Sequence, residues 1–290
     1  MRIATWNVNS LRARLDRVIG FLERTGTDVL AIQETKIDNA RFPAERFAAA
    51  GYQIARHGLS QWNGVAIASR VGLADVQVGL PGAPEFGDPP VAEARAIGAR
   101  CAGVMVWSLY VPNGRAVGDP HYDYKLAWLA ALREHAAGVL VADAGAAFVL
   151  GGDFNIAPTD EDVWDVDVFA GATHVTEPER AAFGALIDAG LADVVRPHTP
   201  GPGVYTFWDY QQLRFPRREG MRIDFLLASP ALAGRVTGAR IDRDERKGKG
   251  ASDHAPVIID TSDQAPAIPV PDGGAVVEAD GVVVDGPGLW

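Results

Sequence analysis

The sequence predicts an α/β protein in which two β-sheets pack face to face with helices on the outside. Strand-like and helix-like segments alternate from residue 2 to residue 261, and the alternation runs through two rounds. Several strand-like segments are nearly continuous apolar runs, which is typical of strands buried on both faces. With 290 residues, of which 48% are hydrophobic and 22% charged, the chain can bury a full core.

The first half of the chain begins with a strand at RIATWNV (2–8) and continues into a helix. Ser10 is predicted as the N-cap of this helix and Gly26 as its C-terminal stop. Further strands are predicted at DVLAIQE (28–34) and GVAIASR (64–70). The helix is indicated by apolar residues at helical spacing, namely Leu11, Leu15, Val18, Ile19 and Leu22.

The second half of the chain repeats this alternation and then changes character. Strands are predicted at 103–112, 146–152, 221–229, 236–243 and 255–261, and amphipathic helices at 122–140 and 177–190. From Ser262 onward, Pro, Gly, Ala, Val and acids predominate, and the short Val pairs make a poor core. We therefore predict one catalytic domain at 1–261 and a flexible tail at 262–290, with one hairpin at VVEADGVVV (276–284).

Bulk properties exclude several classes of protein. The single cysteine, Cys101, lies in an apolar stretch, which excludes an internal disulfide framework and a cysteine-based zinc site and favours a reducing compartment. The N-terminal residues lack a secretory signal, and no window approaches the ~20 apolar residues of a membrane span. We therefore expect a cytoplasmic protein that has no membrane partner.

The net charge does not decide whether the partner is a nucleic acid. A formal charge of −10 argues against one at first sight. However, residues 262–290 hold five acids and no Lys or Arg, which leaves −5 on residues 1–261. A cluster of metal-binding carboxylates would account for several of these charges.

Polar side chains stand at the ends of the predicted strands, or directly after them. In open α/β sheets this edge is where ligands bind. Each residue alone also has a structural interpretation as a helix cap, an Asx-turn, or a packed tyrosine or histidine. The residues are Asn7, Glu34, Tyr110, Asp153, Asn155, Asp224, Asp253 and His254.

Taken as a set, these residues indicate phosphate-ester hydrolysis. Carboxylates that are grouped without cationic partners repel one another and need a cation between them. Ligands that are all oxygen atoms suit a hard ion such as Mg²⁺ or Mn²⁺, which also binds phosphate. An aspartate beside a histidine holds the imidazole in one orientation.

A series of motifs resembles the exonuclease III-type apurinic/apyrimidinic endonucleases, in their bacterial form, within the endonuclease/exonuclease/phosphatase superfamily. Any one motif is a weak signal, but their common order over residues 1–261 is a strong one. The resemblance implies a four-layer αββα sandwich of two mixed sheets flanked by helices, with the site at one edge. The motifs are ATWNVNSLR, LAIQETK, WNGVAIASR, SLYVPNG, GDFNIAPTDEDVW, YTFWDY, MRIDFLLAS and SDHAPV.

The resemblance also implies a role for each candidate catalytic residue. Glu34 would be the principal metal ligand, assisted by Asn7 and Asp253. Asp153 would orient and deprotonate the attacking water or protonate the leaving oxygen, and Asn155 would hold the water or the phosphate. Asp153 and Asn155 are also candidate metal ligands. His254, oriented by Asp224, and Tyr110 would contact the scissile phosphate, whereas Asn113 would contact the DNA backbone.

Substrate recognition is expected in the segment 205–225. By resemblance, Phe207, Met221 and Ile223 form a small apolar pocket for a sugar that lacks its base, which excludes normal nucleotides by size. Trp208 is predicted either to wedge into DNA or to pack in the core. Three further stretches are expected to face DNA: the arginines Arg214, Arg217, Arg218 and Arg222, the run RDERKGKG (243–250), and Gln61-Trp62-Asn63.

These expectations describe a repair nuclease that depends on Mg²⁺, with Mn²⁺ as a substitute. It would act as a monomer on double-stranded DNA with abasic sites or 3′ ends, cutting 5′ to the lesion and trimming 3′ ends. One alternative is a phosphatase or phosphodiesterase that acts on lipid or inositol phosphates with the same metal core. A second is a non-catalytic DNA-binding protein, which would have lost Glu34, Asp153 or His254.

Overall fold

A computed structural model describes residues 1–263, 276–277 and 283–284. The strands are β1 (Arg2–Asn7), β2 (Val29–Gln33), β3 (Gln53–His57), β4 (Val65–Ser69), β5 (Ala74–Val78), β6 (Ala96–Cys101), β7 (Val104–Tyr110), β8 (Phe148–Asp153), β9 (Ala192–Asp193), β10 (Asp224–Ala228), β11 (Val236–Ile241), β12 (Val257–Thr261), β13 (Val276–Val277) and β14 (Val283–Val284). The α-helices are α1 (Leu11–Thr25), α2 (Ala44–Ala49), α3 (Pro120–Ala142), α4 (Glu177–Asp188), α5 (Arg214–Arg217) and α6 (Pro230–Ala233).

The strands form two mixed sheets, as predicted. The first sheet has the order β11-β12-β1-β2-β4-β3-β13-β14, and the second has the order β5-β6-β7-β8-β10-β9. The pair β1–β2 is parallel in the first sheet and the pair β7–β8 in the second, while their other neighbours are antiparallel. Each sheet therefore contains one central parallel pair, whose carboxyl ends lie at the same edge.

Apolar side chains fill three layers between the elements. The two sheets pack on each other through small and branched residues such as Ile3, Ile67 and Val106. The helices α1 and α2 cover the outer face of the first sheet, and α3 and α4 cover the outer face of the second. This arrangement confirms the four-layer αββα sandwich, and it leaves the strand ends open for a site.

The two glycines of GGDFN continue a strand rather than end it, which corrects the predicted end at residue 152. Strand β8 runs through Gly151 and Gly152 to Asp153. A Cβ atom on Gly152 would lie 1.9 Å from the carbonyl oxygen of Leu109. The glycine therefore allows β8 to lie close to β7 just before it delivers Asp153.

Several other local predictions differ from the structure. Helix α1 ends at Gly26 in the left-handed conformation, as expected, but the Ser10 side chain forms no capping hydrogen bond. Instead, the Ser10 N–H donates to the carbonyl of Glu34. Several elements are too short or too polar for the sequence pattern to predict them, namely β3, β5, β6, β9 and α2.

The C-terminal residues are described only in part. Strands β13 and β14 pair antiparallel within the hairpin predicted at 276–284, and Val276 pairs with Ile54 of β3. The remaining residues of the predicted tail beyond Asp263 lie outside the described residues, so the boundary at 261 stays a prediction. Among the helices that the structure describes, none is long and apolar enough to cross a membrane.

Candidate active site

Strands from both sheets deliver polar side chains to one edge of the sandwich. Asn7 is the last residue of β1, and Glu34 follows the last residue of the parallel strand β2. Asp153 is the last residue of β8, and its register partners are Tyr110 on β7 and Asp224 on β10. The predicted convergence of strand ends is therefore present, and it opens into a cavity of about 510 Å³.

Two carboxylates share a single amide at the floor of this cavity. The Asn7 Nδ2 donates to Glu34 Oε1 at 2.7 Å and to Asp153 Oδ2 at 2.9 Å. Burial raises the pKa of Glu34, but the Lys36 ammonium at 2.8 Å and the Asn7 hydrogen bond outweigh this, so the net shift is downward. Glu34 is therefore held in its charged form.

The pKa of Asp153 is shifted in the direction opposite to that of Glu34. Burial raises its pKa to about 7, against the lowering effect of His254 and with the support of the nearby carboxylates Asp224 and Glu34. Its second oxygen, Oδ1, accepts the backbone N–H of Asn155 at 2.9 Å. A carboxylate whose pKa lies near neutrality can both take up and release a proton during turnover.

His254 is held from one side and faces Asp153 on the other. Its Nδ1 lies 2.8 Å from Asp224 Oδ2, and its Nε2 lies 3.7 Å from Asp153 Oδ2. Burial lowers the pKa of His254, but the carboxylates of Asp224 and Asp153 outweigh it and raise the pKa to about 10. The imidazole is therefore cationic at neutral pH and presents an N–H into the cavity.

Tyr110 lies beside these groups and rests on a buried cation that the sequence analysis did not identify. Burial and the Glu34 carboxylate raise the pKa of Tyr110 well above its usual value, so its hydroxyl remains a donor. The guanidinium of Arg95 lies 4.9 Å from the centre of the Tyr110 ring. Arg95 in turn pairs with Glu93 at 2.6 Å.

Three side chains form the opposite wall of the cavity. The Asn155 Nδ2 donates to the carbonyl of Val111, and its Oδ1 lies 3.1 Å from both Asn113 Nδ2 and His174 Nε2. His174 was missed because no motif or spacing marks it in ATHVT. A structural signal does exist, because His174 has φ +85°, which is uncommon for a residue with a side chain.

A buried lysine ties together the loops that carry these amides. The ammonium of Lys125 pairs with Glu179 and donates to the backbone carbonyls of Asn155 at 2.7 Å and Asn113 at 3.2 Å. Both charged side chains are fully buried. The sequence contains a signal for Lys125 that was not used, since it is a lone cation among apolar residues in YDYKLAWLAAL.

Some predicted metal ligands come together and others do not. Ligand atoms of Glu34, Asp153 and His254 lie within 4.8 Å of one another, and the two carboxylates suit a hard divalent cation. Asn7 points its nitrogen at both carboxylates, because its oxygen accepts the Asn9 N–H. It therefore holds the two carboxylates in place, and its own role as a metal ligand stays a prediction.

Two other predicted ligands face different partners. The oxygen of Asn155 is occupied by Asn113 and His174, as described above. Asp253 lines the cavity, but it lies outside the cluster of ligand atoms and accepts the Asn9 Nδ2 at 3.0 Å. The Lys36 ammonium also bonds to Asn9, so Asn9 bridges Asp253 and Lys36.

The apolar residues predicted for the sugar pocket lie together beside the catalytic residues. Phe207, Met221 and Ile223 all line the cavity, and Met221 and Ile223 belong to one small apolar cluster. The Phe207 ring centre lies 4.9 Å from that of His254. This part of the cavity is therefore suited to an apolar group that lies next to the scissile phosphate.

Trp208 does not reach the cavity. It is 1% exposed and packs on Tyr205 and Phe215, which corrects its prediction as a DNA contact and fits the alternative position in the core. Tryptophan beside a polar strand end gives no sequence signal that distinguishes the two positions. Neighbouring side chains of an extended segment point to opposite sides, so Phe207 faces the cavity while Trp208 packs into the core.

The basic stretches are less available to phosphates than the sequence predicts. Arg222 is 4% exposed and pairs with Asp162 and Asp193, so its role is structural. Arg214 pairs with Glu219, and Arg246 is buried against the Trp208 carbonyl. The exposed cations of these stretches are Arg217, Arg218, Lys247 and Lys249.

The loop at Gln61-Trp62-Asn63 meets the expectation of an exposed segment. Trp62 is 68% exposed, the largest exposed aromatic side chain among the described residues. Asn63 donates to Glu93 at 2.9 Å, and Glu93 holds the Arg95 that stacks on Tyr110. The loop is thus connected to the catalytic cavity by a chain of partly buried contacts.

Comparisons with known proteins place this geometry in context. A model of the Endonuclease/Exonuclease/phosphatase family matches residues 4–254. An exodeoxyribonuclease of Bacillus subtilis (strain 168) is 28% identical over 265 residues, which cover 89% of this chain and 98% of that protein.

Two solved structures are similar over nearly the whole fold. One is the 3′ phosphatase NExo from Neisseria bound to a product DNA hairpin, with 39% identity, a TM-score of 0.84, and coverage of 90% of this chain and 99% of that one. The other is an AP endonuclease from Archaeoglobus fulgidus, with 36% identity, a TM-score of 0.84, and coverage of 91% and 100%.

Proposed function

Since the chain belongs to the Endonuclease/Exonuclease/phosphatase family, we propose that it is a metal-dependent DNA repair nuclease. It hydrolyses the phosphodiester on the 5′ side of abasic sites and removes residues or blocking groups from 3′ ends. The observation that carries the proposal is the buried pair of Asp153 and His254, each held by a further buried residue, Asn7 and Asp224 respectively. The names of the similar proteins, which include an exodeoxyribonuclease and an AP endonuclease, support it.

Asp153 is the group that moves protons in this mechanism. It accepts a proton from the attacking water or returns one to the leaving O3′ atom, and its pKa of about 7 suits both directions near neutral pH. Asn7 and the Asn155 backbone N–H hold both of its oxygens. The carboxylate is therefore fixed in position before the substrate arrives.

Three donors stabilise the negative charge that grows on the phosphate oxygens. His254 is cationic and directs its Nε2 into the cavity, because Asp224 occupies its Nδ1. The Tyr110 hydroxyl stays protonated, and the Asn155 amide keeps one N–H that the Val111 carbonyl does not use. Each preorganised donor of this kind contributes about 3–4 kcal/mol to catalysis in comparable hydrolases.

Mg²⁺, with Mn²⁺ as a substitute, neutralises charge on the phosphate when it is bound, and Glu34 and Asp153 are the carboxylates that would hold it. Asp253 remains a predicted further ligand at the rim. We also propose that the protein acts as a monomer. Its single buried cysteine is consistent with the cytoplasm.

A second candidate function is removal of 3′-phosphate groups as the main activity, with abasic incision as a minor one. The 39% identity to a 3′ phosphatase exceeds the 36% identity to an AP endonuclease. Both reactions use the same catalytic groups. They differ in what is attached on the 3′ side of the phosphorus atom. In abasic incision this is the sugar of the abasic residue, whereas a terminal 3′-phosphate carries no further sugar.

The test compares three end-labelled duplexes: one with an internal abasic analogue, one with a 3′-phosphate, and one undamaged. Each is incubated with Mg²⁺ and with EDTA. Mg²⁺-dependent cutting 5′ to the analogue supports the repair endonuclease, and release of phosphate without such cutting supports the second candidate. If no duplex is processed while inositol or lipid phosphates are hydrolysed, the proposal is wrong.

A further inference from the structure

A second cavity lies directly behind the sugar pocket. It has a volume of about 130 Å³ and is lined on its apolar sides by Trp164, Val168, Phe169, Phe207 and Met221. Phe169, Phe207 and Met221 also line the catalytic cavity. We call this second cavity the aromatic slot; it adjoins the catalytic cavity along one shared wall.

The walls of the aromatic slot are fixed by the surrounding backbone. The Trp164 N–H donates to the Gly220 carbonyl at 3.1 Å, and Val163 pairs with Met221 as an isolated β-bridge. The guanidinium of Arg214, which also lines the slot, lies over the Trp164 ring, 4.9 Å from the ring centre. Arg214 is itself held by Glu219. The slot is therefore preformed.

One part of the shared wall is flexible by its chemistry. Met221 stands between the sugar pocket and the slot, and methionine has three rotatable bonds and adapts its shape to its neighbours. The mouth of the slot faces solvent at Val168, which is 52% exposed. A flat group that enters the sugar pocket can thus extend past Met221 into a space with aromatic walls.

We propose that the aromatic slot receives the nucleobase of the 3′-terminal nucleotide when the enzyme shortens a normal DNA end. This inference rests on the proposed function. Hydrolysis that leaves a 3′-hydroxyl places the departing nucleotide on the 3′ side of the scissile phosphate, so its sugar occupies the sugar pocket. Its base must then leave that pocket, and the slot is the adjoining space with the flat aromatic walls on which any base can stack.

The reaction at the phosphorus atom is the same hydrolysis as at an abasic site. An oxygen–phosphorus bond forms to the attacking water, and the bond between phosphorus and O3′ breaks. The proton lost by the water balances the proton gained by O3′. The products are a shortened strand with a 3′-hydroxyl and a nucleoside 5′-monophosphate, whose base leaves the slot with it.

Substrates should respond differently according to whether the terminal sugar carries a base. A terminal abasic residue and a terminal 3′-phosphate place nothing in the slot. Changes to the slot should therefore slow removal of base-bearing nucleotides and leave the other two reactions unchanged. A general structural defect would slow all three together.

The experiment uses two duplexes of identical sequence, one ending in a 3′-thymidine and one in a 3′-tetrahydrofuran abasic analogue. The Val168→Phe variant fills the slot from its exposed mouth, and Trp164→Ala removes a wall; neither residue lines the catalytic cavity. Val141→Phe, at an 88% exposed valine on α3, is the matched control. The measurement is kcat/KM for release of the terminal residue, together with thermal melting of each variant.

Both slot variants should lower kcat/KM for the terminal thymidine about tenfold, the size expected for one lost base–aromatic stack. The value for the abasic end should change less than about twofold, as should both values for Val141→Phe. Equal losses on the two substrates, or no loss on either, would overturn the proposal. If the wild-type protein releases neither terminal residue, the proposed function is wrong as well.

Discussion

Two buried polar clusters of this molecule differ in how their charges are balanced. In the structural cluster, Lys125 meets one carboxylate, Glu179. Both side chains bond to the Thr173 hydroxyl, and the Lys125 ammonium also donates to two backbone carbonyls. In the catalytic cluster, three carboxylates face two cations, Lys36 and His254. These carboxylates are Glu34, Asp153 and Asp224, and one oxygen of Asp224 has no hydrogen-bond partner.

The difference appears in the pKa values of the two buried acids. Burial raises the pKa of Glu179, but the Lys125 ammonium and hydrogen bonds outweigh it and the net shift is downward. The pKa of Asp153 instead rises to about 7 because burial and like charges exceed the effect of His254. A balanced cluster holds the fold together, whereas a cluster with surplus negative charge takes up protons and cations and is suited to catalysis.

The largest expected effect comes from removing the charge of Asp153. Asp153→Asn should lower kcat about 10²–10⁴-fold, because the group that exchanges a proton with water is lost. Binding of DNA should stay equal or become tighter, since one negative charge no longer faces the phosphate. Single-turnover cleavage and fluorescence anisotropy measure the two quantities. Asp160→Asn, at an exposed carboxylate of the following loop, should leave both unchanged, and an active Asp153→Asn protein would refute the catalytic assignment.

The next largest effect concerns the structural cluster. Lys125→Met should lower the free energy of unfolding by about 3–5 kcal/mol, because Glu179 would be left as an uncompensated buried charge. Urea denaturation followed by circular dichroism measures the loss. Arg180 lies on the same helix as Glu179, and Arg180→Ala, which breaks the exposed pair with Asp160, should cost at most about 1 kcal/mol. Similar losses of unfolding free energy in the two variants would contradict the expected difference between the buried pair and the exposed pair.

The sequence predicted the layers of the fold and the residues of the catalytic cluster. It did not predict the structural cluster. Asp153 ends β8, and His254 lies shortly before β12, which is antiparallel to β1. Both residues stand within recognisable motifs, and both therefore reach the edge where the parallel pairs β1–β2 and β7–β8 end. Lys125 and Glu179 lie on two helices, 54 residues apart, and nothing local marks their contact. The order of strands predicts which edge of the sheet carries a residue, but it does not predict which residues of two helices form a pair.

The orientation of side chains was the least predictable property. Trp208 and Phe207 are neighbours in one aromatic run, yet one packs in the core and the other faces His254. Asn7 was expected to offer oxygen to a metal, and its orientation is set instead by the Asn9 N–H. Such details depend on backbone turns and on hydrogen-bond partners distant in sequence, which residue type alone does not specify.

The third prediction concerns Glu34, one of the carboxylates of the catalytic cluster. Glu34→Ala should raise the Mg²⁺ concentration for half-maximal cleavage by about tenfold or more, since even partners of metal ligands affect affinity by 10–100-fold. A Mg²⁺ titration of the initial rate measures this, with Glu23→Ala on the exposed face of α1 as the control. A titration curve identical to that of the wild type would exclude Glu34 as a ligand.

The smallest effect tests a buried titratable group outside both clusters. Burial, and then the cations Arg95 and Arg115, lower the pKa of His121 to about 4, and its Nδ1 accepts the Gly114 N–H at 3.1 Å. The unfolded chain takes up a proton near the ordinary pKa of 6.5, but the folded chain does not until about pH 4. The stabilisation is therefore complete above pH 6.5 and is lost as the pH falls to about 4. His121→Asn keeps an acceptor for Gly114 but does not titrate, so its unfolding free energy should fall less over this pH range. His198→Asn, at an exposed histidine, is the reference variant. If the unfolding free energies of the wild type and of His121→Asn fall equally over this pH range, the burial of His121 does not lower stability at acid pH.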